Sequence, residues 1–557
     1  MFDASPKLPV RPPTTEVMRT RSGLALAADV YRPEGPGPYP VLMLRQAYGR
    51  RIASTLCYAH PSWYAAQGYI VVVQDVRGRG DSEGRFRPLE YEAEDGADAI
   101  AWAAGLDGST GAVGLYGFSY QGVNQLLAAA EAGPALKAIA PAMIGWDIRN
   151  DWAYENGAFN LAGNLGWAIQ LAAENARLAG DQAAFYELHG LARRMPFEAP
   201  NPARPAFMER HRRLSHYHQW LDEPEDGPYW PRISPSARAP ALLARDLPML
   251  FIGGWFDSHL PGTLAGYRAM APGGRARLRV GPWTHFPWHR KVGALDFGPA
   301  AVTAMDQWQV RWFDHWLKGA DNGVEAEPEV SLFDMGARCW RDYPAWPDAP
   351  FELHLDSEGR AAIDETAGRL AADAPHEAGV DYLVHDPWRP APSVGGASGS
   401  PPGPVDRSAV DARSDVMTFT TGTCAAGLTL AGPVIAELRL VSDAAAFDVS
   451  CTLSRVTTAG QVYQVAEGHW SGPAPAADQP LRVPMRATCV TLELGERLRL
   501  SIAAASFPAH PVNPGDGRRP EDVPLDEARA VTLGVRTGGG LGSRLILSVP
   551  AATKPAP

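Results

Sequence analysis

The sequence predicts an α/β domain with a mostly parallel sheet, followed by a domain made almost entirely of β-strands. Three observations support this prediction. Apolar strand-like runs alternate with helical segments up to about residue 140, as in a sheet covered by helices on both faces. A strand, a glycine-bounded turn and a helix succeed one another between residues 113 and 132. From about residue 330, short alternating runs are separated by Gly, Pro and Asp, which is typical of a β-sandwich.

A chain of 557 residues is too long for one hydrophobic core, so we expect several domains. Between about residues 141 and 240, helical stretches rich in Trp, Ala, Leu and Arg replace the strand-like runs and indicate a helical insertion over the sheet. The predicted division is an α/β core in two parts, a helical cap between them and a β-sandwich: residues 1–144, 145–240, 241–328 and 329–557, in chain order.

The composition is that of an ordinary globular protein, with 45% hydrophobic and 20% charged residues. A net charge of -11 argues against nucleic acid or an anionic membrane as a partner. We find no apolar run long enough to cross a bilayer and no secretory signal at the amino terminus. Five scattered cysteines without a CxxC pair predict reduced thiols in a cytoplasmic protein, and no metal site. A homodimer is the assembly considered, and the sequence does not decide the oligomeric state.

The elements of the α/β part follow in order. An alternating segment at 16–33 predicts an antiparallel hairpin, and buried strands follow at 39–45 and 69–75. A helix is expected at 92–104, directly before the strand that begins near Val113. After the cap, further strands are expected at 247–254 and 276–281 and a helix at 301–318. Within the β-sandwich, a long irregular loop is expected at 386–406.

Two polar groupings could suggest additional sites. Asp75, Arg77 and Arg79 share one loop, and we interpret them as an internal Asp–Arg clamp because no phosphate-loop motif accompanies them. Three histidines lie in an arginine-rich part of the cap, and we interpret them as a solvated helix face because no HExxH motif is present: His211, His216 and His218.

The turn at Gly117-Phe-Ser119-Tyr-Gln-Gly122 is the context that a nucleophile elbow requires. Glycines allow the tight turn and the close approach of helix to strand. Gln121 departs from the common signature, which has glycine two residues after the serine. The pattern by itself is equally compatible with a plain strand-to-helix turn, so its context must decide.

A serine nucleophile needs a histidine base and a carboxylate that orients this base. In a parallel sheet these partners are expected on loops at the carboxyl ends of later strands, the acid before the histidine. Asp257 directly follows the strand that ends in Gly253-Gly254, and His285 directly follows the next strand. Ser119, Asp257 and His285 are therefore the predicted catalytic triad. Helix capping by Asp257 and a loop role for His285 are the alternatives.

The segments Gly117–Gly122, Gly253–Asp257, Gly281–His285 and Asp75–Ser82 together resemble the cocaine-esterase/X-prolyl dipeptidyl-peptidase family of α/β-hydrolases. The resemblance spans most of the chain. It implies an α/β-hydrolase core with a helical cap insertion and a C-terminal β-sandwich of the jelly-roll type. It also implies that Ser119 is the nucleophile, His285 the base and Asp257 the orienting acid, with no cofactor.

The oxyanion of the reaction needs hydrogen-bond donors. The residue after the serine, Tyr120, is expected to supply a backbone N–H. The resemblance implies that the hydroxyl of Tyr48 is the second donor, although Ala47 replaces the proline that often precedes it in the family. Trp152, Trp167 and Phe256 lie where the family's acyl pocket falls, and Gln121 is the fourth residue expected to contact substrate.

Members of this family cleave esters, amides or X-Pro peptides, and the pocket decides among them. Recognition of an ammonium group needs carboxylates. The α-amino-ester hydrolases carry an acid after the elbow tyrosine and an acidic pair soon after the triad aspartate, where this chain has Gln121 and Ser258-His259-Leu260.

We therefore expect an esterase for small-molecule substrates with compact hydrophobic or aromatic acyl groups. The alternatives are an X-Pro aminopeptidase or β-lactam acylase, with Asp147, Asp151 or Glu155 of the cap as anionic anchor. From another class, the alternative is an inactive hydrolase that carries a β-sandwich binding module.

Overall fold

The computed structural model of the protein describes residues 8–51, 55–476 and 479–550. The first part of the chain forms a hairpin and then alternating strands and helices. The strands are β1 (Thr14–Arg19), β2 (Ala25–Tyr31), β3 (Tyr39–Gln46), β4 (Ile70–Asp75), β5 (Ser109–Phe118) and β6 (Leu136–Ala142). The helices are α1 (Pro61–Ala66), α2 (Glu92–Ala104) and α3 (Tyr120–Glu131).

The cap that follows is helical except for one two-stranded hairpin, β7 (Tyr154–Glu155) and β8 (Ala158–Phe159). A short π-helix at Arg149–Ala153 precedes this hairpin. The α-helices of the cap are α4 (Leu161–Leu178), α5 (Gln182–Arg193), α6 (Ala206–Arg210), α7 (Tyr217–Asp222), α8 (Tyr229–Ile233) and α9 (Ala239–Ala244). The hairpin is too short to give a strand pattern in the sequence.

The chain then returns to the sheet. The strands of this part are β9 (Met249–Phe256), β10 (Ala276–Thr284), β11 (Lys291–Val292), β12 (Leu295–Asp296), β13 (Val330–Asp334) and β14 (Cys339–Tyr343), and its helices are α10 (Leu260–Met270) and α11 (Met305–Lys318). One sheet of ten strands results, in the order β1-β2-β4-β3-β5-β6-β9-β10-β13-β14. The seven strands from β4 to β13 run parallel, which confirms the predicted mostly parallel sheet.

The large sheet extends beyond the boundary that the sequence predicts at residue 328. Strand β13 pairs in parallel with β10, and β14 pairs antiparallel with β13 at the edge. The side chains of β14 are mostly half-buried, as on an edge strand of either kind of sheet. The residue pattern of such a strand is the same in both kinds of sheet. It therefore could not tell whether β13 and β14 belong to the ten-stranded sheet or to the β-sandwich.

In its described residues the C-terminal domain consists mainly of β-strands, with one short α-helix, α12 (Ser408–Asp411), and three single-turn 3-10 helices. Its strands are β15 (Ala349–Asp356), β16 (Arg369–Ala371), β17 (Gly379–His385), β18 (Val416–Thr420), β19 (Leu428–Leu438), β20 (Leu440–Ser442), β21 (Ala446–Val456), β22 (Val462–Pro473), β23 (Leu481–Leu492), β24 (Arg497–Ala503), β25 (Val531–Thr537) and β26 (Arg544–Val549). They form a nine-stranded and a three-stranded sheet. The predicted irregular loop lies between β17 and α12.

A buried ion pair holds the loop that follows β3. Asp75 is fully buried, and its carboxylate accepts the backbone N–H of Arg50 at 2.6 Å and pairs with the Arg50 guanidinium. Arg50 also lies 3.0 Å from Asp29 and 2.8 Å from Asp81. Because Tyr48 lies two residues before Arg50, this network fixes the loop that carries the predicted oxyanion donor.

The expected clamp of Asp75 with Arg77 and Arg79 is wrong in its partners. Arg77 pairs with Asp95, and the Arg79 guanidinium stacks 3.7 Å from the centre of the Phe86 ring. Gly80 has a φ of +53°, and its backbone packs directly on the Asp75 carboxylate, where a Cβ would overlap it. The loop therefore curls round Asp75, which also accepts the N–H of Asp81 at 3.3 Å.

The histidines of the cap are also not a solvated face. His216 and His218 are buried, His211 pairs with Glu187 at 2.9 Å, and His218 Nε2 lies 3.1 Å from the exposed Glu209 carboxylate. The His216 ring lies 4.8 Å from that of Trp167, and burial lowers its pKa to about 3. At neutral pH His216 is therefore an uncharged packing residue of the cap.

The Arg50 network gives a stability prediction. We expect Arg50→Met to lower the free energy of unfolding by about 3–5 kcal/mol, because it leaves the Asp75 carboxylate buried without its charged partner. Arg51→Met is the matched control, since Arg51 is 68% exposed and pairs with exposed Asp81, and should change stability by less than about 0.5 kcal/mol. Urea unfolding of both variants measures the difference. Equal stability of the two variants would contradict the prediction.

Candidate active site

The turn between β5 and α3 holds Ser119 in a strained conformation. Its φ is +60° and its ψ is -128°, a region that residues other than glycine rarely occupy. The Ser119 N–H donates to the Ala142 carbonyl oxygen at 2.8 Å, which ties the turn to the end of β6. The side chain is thereby presented at the carboxyl edge of the sheet, as expected of a nucleophile elbow.

The two glycines of the turn are required by close contacts. Gly117 has a φ of +144°, and a Cβ there would lie 2.6 Å from the Cβ of Gln121. A Cβ at Gly122 would overlap Ile144 and lie 2.7 Å from the Ala142 carbonyl oxygen. The close approach of α3 to β6 thus occurs at residue 122. This explains why residue 121 need not be glycine in this chain.

The three predicted triad residues meet in one hydrogen-bonded chain. His285 Nε2 lies 2.9 Å from Ser119 Oγ, and His285 Nδ1 lies 2.7 Å from Asp257 Oδ1. Asp257 follows β9 and His285 follows β10, so both loops leave the same edge of the sheet as Ser119. An irregularity in the pairing of β9 with β10, between Gly281 and Thr284, precedes His285. Such bulges commonly re-aim a side chain beside an active site.

Asp257 is an ionised carboxylate in this arrangement. Burial alone would raise its pKa, but His285 and His259 together lower the pKa below the ordinary value. With the acid ionised, the preferred tautomer of His285 has its proton on Nδ1 and a free lone pair on Nε2 toward Ser119. The geometry therefore suits His285 for accepting the serine proton.

The two predicted oxyanion donors are Tyr120, the residue after Ser119, and Tyr48, which lines the same cavity as Ser119. Tyr120 is the first residue of α3, so its backbone N–H has no acceptor within the helix. The Tyr48 hydroxyl oxygen accepts a hydrogen bond from Trp167 Nε1 at 3.1 Å, which leaves its own proton for another acceptor. Burial raises the pKa of Tyr48, so the phenol is protonated at neutral pH.

The Tyr120 side chain has a separate, structural role. Its hydroxyl donates a buried hydrogen bond to Glu92 at 2.9 Å and accepts one from the backbone N–H of Leu89. Glu92 in turn pairs with Arg45 of β3. These buried contacts fix the amino-terminal end of α3 relative to α2 and β3.

A cavity of about 460 Å³ opens directly on Ser119 and His285. All three parts of the chain contribute to its walls, and apolar and aromatic side chains are prominent. The lining residues are Tyr48, Leu56, Phe118, Ser119, Gln121, Ser258, His259, His285 and Phe286 from the core, Trp152, Asn160, Gly163, Asn164, Trp167 and Gln170 from the cap, and Ala397, Ser398 and Ala509 from the C-terminal domain.

Three of the four predicted substrate contacts line this cavity: Trp152, Trp167 and Gln121. Phe256 does not. It ends β9 as a buried residue of the core, and the chain turns toward the cavity only at Ser258 and His259. Sequence reasoning missed His259, whose ring lies 4.3 Å from that of Trp152 and 4.7 Å from that of His285. Its position two residues after Asp257 was the available signal.

The carboxylates considered as ammonium anchors point elsewhere. Asp151 accepts the N–H groups of Trp146 and Asp147, Asp147 caps its own turn, and Glu155 pairs with Arg486. Among the described residues that line the cavity there is neither Asp nor Glu. The described lining residues thus include no carboxylate that could pair with an ammonium group near Ser119.

Two family models match the chain in the order of its domains. The model for X-Pro dipeptidyl-peptidase (S15 family) matches residues 22–287, and that for the X-Pro dipeptidyl-peptidase C-terminal non-catalytic domain matches residues 322–537. Cocaine esterase from Rhodococcus sp. (strain MB1 Bresler) is 28% identical over 95% of this chain and 97% of its own length.

Two solved structures are similar over nearly their whole length. An aminopeptidase from a marine sediment archaeon, Thaumarchaeota archaeon, superimposes with a TM-score of 0.81 at 22% identity and covers 96% of each chain. An α-amino acid ester hydrolase gives a TM-score of 0.80 at 22% identity, over 98% of this chain and 97% of its own. At such identities the likeness establishes the fold alone.

The ten-stranded sheet and the serine, histidine and aspartate at its edge define a serine hydrolase of the α/β-hydrolase fold. Within this class, the chain belongs to the cocaine-esterase/X-prolyl dipeptidyl-peptidase family, with the family's C-terminal domain attached. The resemblance that the sequence motifs indicated is confirmed.

The close packing at Gly122 predicts that adding one methyl group there destabilises the protein. We expect Gly122→Ala to destabilise the protein by about 1–3 kcal/mol and to reduce activity, because the added Cβ forces α3 away from β6. Gly133→Ala is the matched control, since a Cβ there meets no atom within 4 Å. Urea unfolding and ester turnover of the two variants test this. Wild-type stability of Gly122→Ala would contradict it.

The ionisation of Asp257 predicts how the stability of the protein depends on pH. Because its pKa is lower in the folded protein than in the unfolded chain, Asp257 stabilises the fold above about pH 4, and this contribution is lost as the pH falls further. We therefore expect the wild-type protein to lose more stability than Asp257→Asn when the pH is lowered through this range. Urea unfolding of both proteins at neutral and acidic pH measures the difference. An equal loss of stability in the two proteins would contradict the prediction.

Proposed function

We propose that this protein is a serine esterase that hydrolyses carboxylic esters with compact hydrophobic or aromatic acyl groups. The observation that carries the proposal is the hydrogen-bonded chain from Asp257 through His285 to Ser119, open to an aromatic cavity without carboxylates among its described lining residues. The similarity to cocaine esterase, a relative named for an ester substrate, supports the same reaction class.

In the acylation step, Ser119 Oγ attacks the ester carbonyl carbon while its proton passes to His285 Nε2. The carbonyl oxygen becomes negatively charged and is stabilised by the Tyr120 N–H and the Tyr48 hydroxyl. The bond to the alcohol then breaks, and His285 donates its proton to the departing oxygen. The products of this step are a free alcohol and an acyl ester on Ser119.

In the deacylation step, a water molecule takes the place of the alcohol. His285 accepts a proton from the water as its oxygen attacks the acyl carbon, and the same two donors stabilise the second oxyanion. The bond to Ser119 breaks, and the proton returns from His285 to Ser119 Oγ. The carboxylic acid leaves, and Asp257 remains ionised throughout because it only orients and stabilises the imidazole.

The lining of the cavity supports the choice of acyl group. Trp152 and Trp167, with ring centroids 4.9 Å apart, form an aromatic wall of the cavity that opens on Ser119. Such a wall favours flat, apolar groups. An α-ammonium group would lose its hydration here without a carboxylate partner, which disfavours aminopeptidase substrates.

The location and assembly of the protein remain predictions. A cytoplasmic location is consistent with five cysteines that form no disulfide, and a homodimer is one predicted assembly. None of the helices in the described ranges is long and apolar enough to cross a membrane.

Covalent labelling tests the enzyme assignment. We expect a fluorescent alkyl phosphonate to label the wild-type protein at Ser119, and Ser119→Ala to lose both labelling and ester turnover. His285→Ala should lower kcat by about 10⁴-fold or more while the protein stays folded. A folded wild-type protein that is neither labelled nor active would instead favour a binding module on an inactive hydrolase.

Substrate choice is tested by comparing leaving groups and acyl groups. We expect turnover of p-nitrophenyl acetate and p-nitrophenyl benzoate, and no appreciable cleavage of an X-Pro-p-nitroanilide, because the described cavity wall has no anchor for the amino terminus. Absorbance follows the release of p-nitrophenol from the esters and of p-nitroaniline from the anilide, each with its own extinction coefficient. A preference for the anilide would overturn the esterase proposal in favour of a peptidase.

A further inference from the structure

A buried arginine of the C-terminal domain reaches the loop that carries the catalytic acid. Arg486 lies in the middle of β23, and its side chain is only 4% exposed. Its Nη2 donates to the backbone carbonyl oxygen of Ser258 at 3.3 Å. Ser258 directly follows Asp257 and precedes His259. The C-terminal domain is therefore in direct contact with the backbone between two residues of the active site.

The same guanidinium holds the cap. Its Nη1 donates to Glu155 Oε1 at 3.1 Å, and its Nη2 lies 2.9 Å from Glu155 Oε2, so the pair is two-pronged. Glu155 ends β7 of the cap hairpin, and its Oε1 also accepts the N–H of His469 at 3.3 Å. At the tip of this hairpin, Asn156 donates to the carbonyl oxygens of His469 and Pro484.

Arg486 is also connected, through Glu467, to the part of the cavity wall that the C-terminal domain forms. Glu467 Oε1 lies 3.8 Å from Arg486 Nη1 and accepts the N–H of Ala397 at 2.8 Å. Ala397 and Ser398 line the cavity beside Ser119. The Arg486 guanidinium thus contacts the loop after Asp257 and the cap hairpin directly. Through Glu467 it is also connected to the cavity-lining segment at Ala397 and Ser398.

Burying the charged Arg486 guanidinium costs free energy, so its position in the interior needs a physical explanation. A fully buried charge loses several kcal/mol of hydration, and only well-formed pairs offset this loss. Apolar residues could hold two domains together without that cost. What an apolar side chain cannot do is donate to the Ser258 carbonyl, which fixes the direction of the peptide next to Asp257.

We propose that Arg486 is a positioning residue for catalysis, which fixes the Ser258 peptide and thereby the orientation of Asp257 and His259. This inference rests on the proposed esterase function. It makes the C-terminal domain a participant in catalysis through a specific contact, in addition to its share of the cavity wall. The positive charge of Arg486 also acts on its neighbours: burial lowers the pKa of His259, and Arg486 adds to this lowering.

The test compares Arg486→Met with Arg499→Met. Arg499 is the matched control because it is a buried arginine of the same domain, 7% exposed and paired with Glu365 and Asp411 away from the cavity. We expect Arg486→Met to lower kcat for p-nitrophenyl acetate by about 10- to 100-fold, as displaced catalytic groups do. The rate of phosphonate labelling of Ser119 should fall in parallel. Arg499→Met should keep kcat within about twofold of wild type at temperatures where it is folded.

The pH profile separates positioning from a general loss of stability. Removing the positive charge in Arg486→Met should shift the acid limb of kcat/KM, its fall on the acid side of the pH profile, to higher pH. The reason is that protonation of His259, which lies beside Asp257 and His285, becomes easier. Glu155→Gln removes a negative charge from the same pair and should shift the limb to lower pH. Arg499→Met should leave the limb in place. Arg486→Lys, which retains the charge without the two-pronged geometry, should give an intermediate kcat.

The kinetics of the folded variants support or overturn the positioning role of Arg486. Wild-type kcat and an unshifted pH limb in folded Arg486→Met, or equal losses in Arg486→Met and Arg499→Met, would overturn the inference. If Arg486→Met does not fold, Glu155→Gln and Arg486→Lys decide: reduced kcat with the stated shift for Glu155→Gln supports positioning, and unchanged kinetics in both overturns it. A wild-type protein without ester turnover or Ser119 labelling would instead contradict the proposed function itself.

Discussion

The strained backbone of Ser119 is the constraint on which the rest of the site depends. A φ of +60° is maintained because the serine N–H is bonded to the end of β6 and because α3 packs directly against that strand at Gly122. This packing sets the place of the nucleophile at the edge of the sheet. It also sets the place of the Tyr120 N–H, since the same residue begins the helix. Tyr48, Asp257 and His285 are delivered to this point by loops that leave the same edge of the sheet.

The site combines a rigid core with walls from two further parts of the chain. Strands β9 and β10 bring Asp257 and His285 to the serine, and the parallel order of the sheet makes this convergence possible. The cap adds the pair of tryptophans, and the C-terminal domain closes one side with Ala397 and Ser398. The cavity is therefore bounded by all three parts, so their relative placement sets its shape.

Buried charges in this protein lie where they fix loops. The Arg50–Asp75 pair holds the loop of Tyr48, the Arg45–Glu92 pair holds the start of α3 through Tyr120, and Arg486 holds the loop of Asp257. Each guanidinium also binds a backbone or side-chain group that an apolar residue could not hold. The described wall of the cavity, in contrast, carries no carboxylate, which suits neutral acyl groups.

The sequence by itself determined the parallel sheet, the order of the triad and its placement at strand ends, because apolar periodicity and glycine requirements are local properties of the chain. It also indicated Tyr48, Trp152, Trp167 and Gln121 through a family resemblance. Only the tertiary structure decided that Phe256 is buried in the core, that His259 replaces it at the cavity, and that Asp75 pairs with Arg50 rather than Arg77 or Arg79. It likewise placed β13 and β14 in the large sheet and brought Arg486 next to Ser258. Such choices depend on contacts between residues far apart in the chain, and no local pattern of residue types records which distant partner a buried charge or a strand edge will meet.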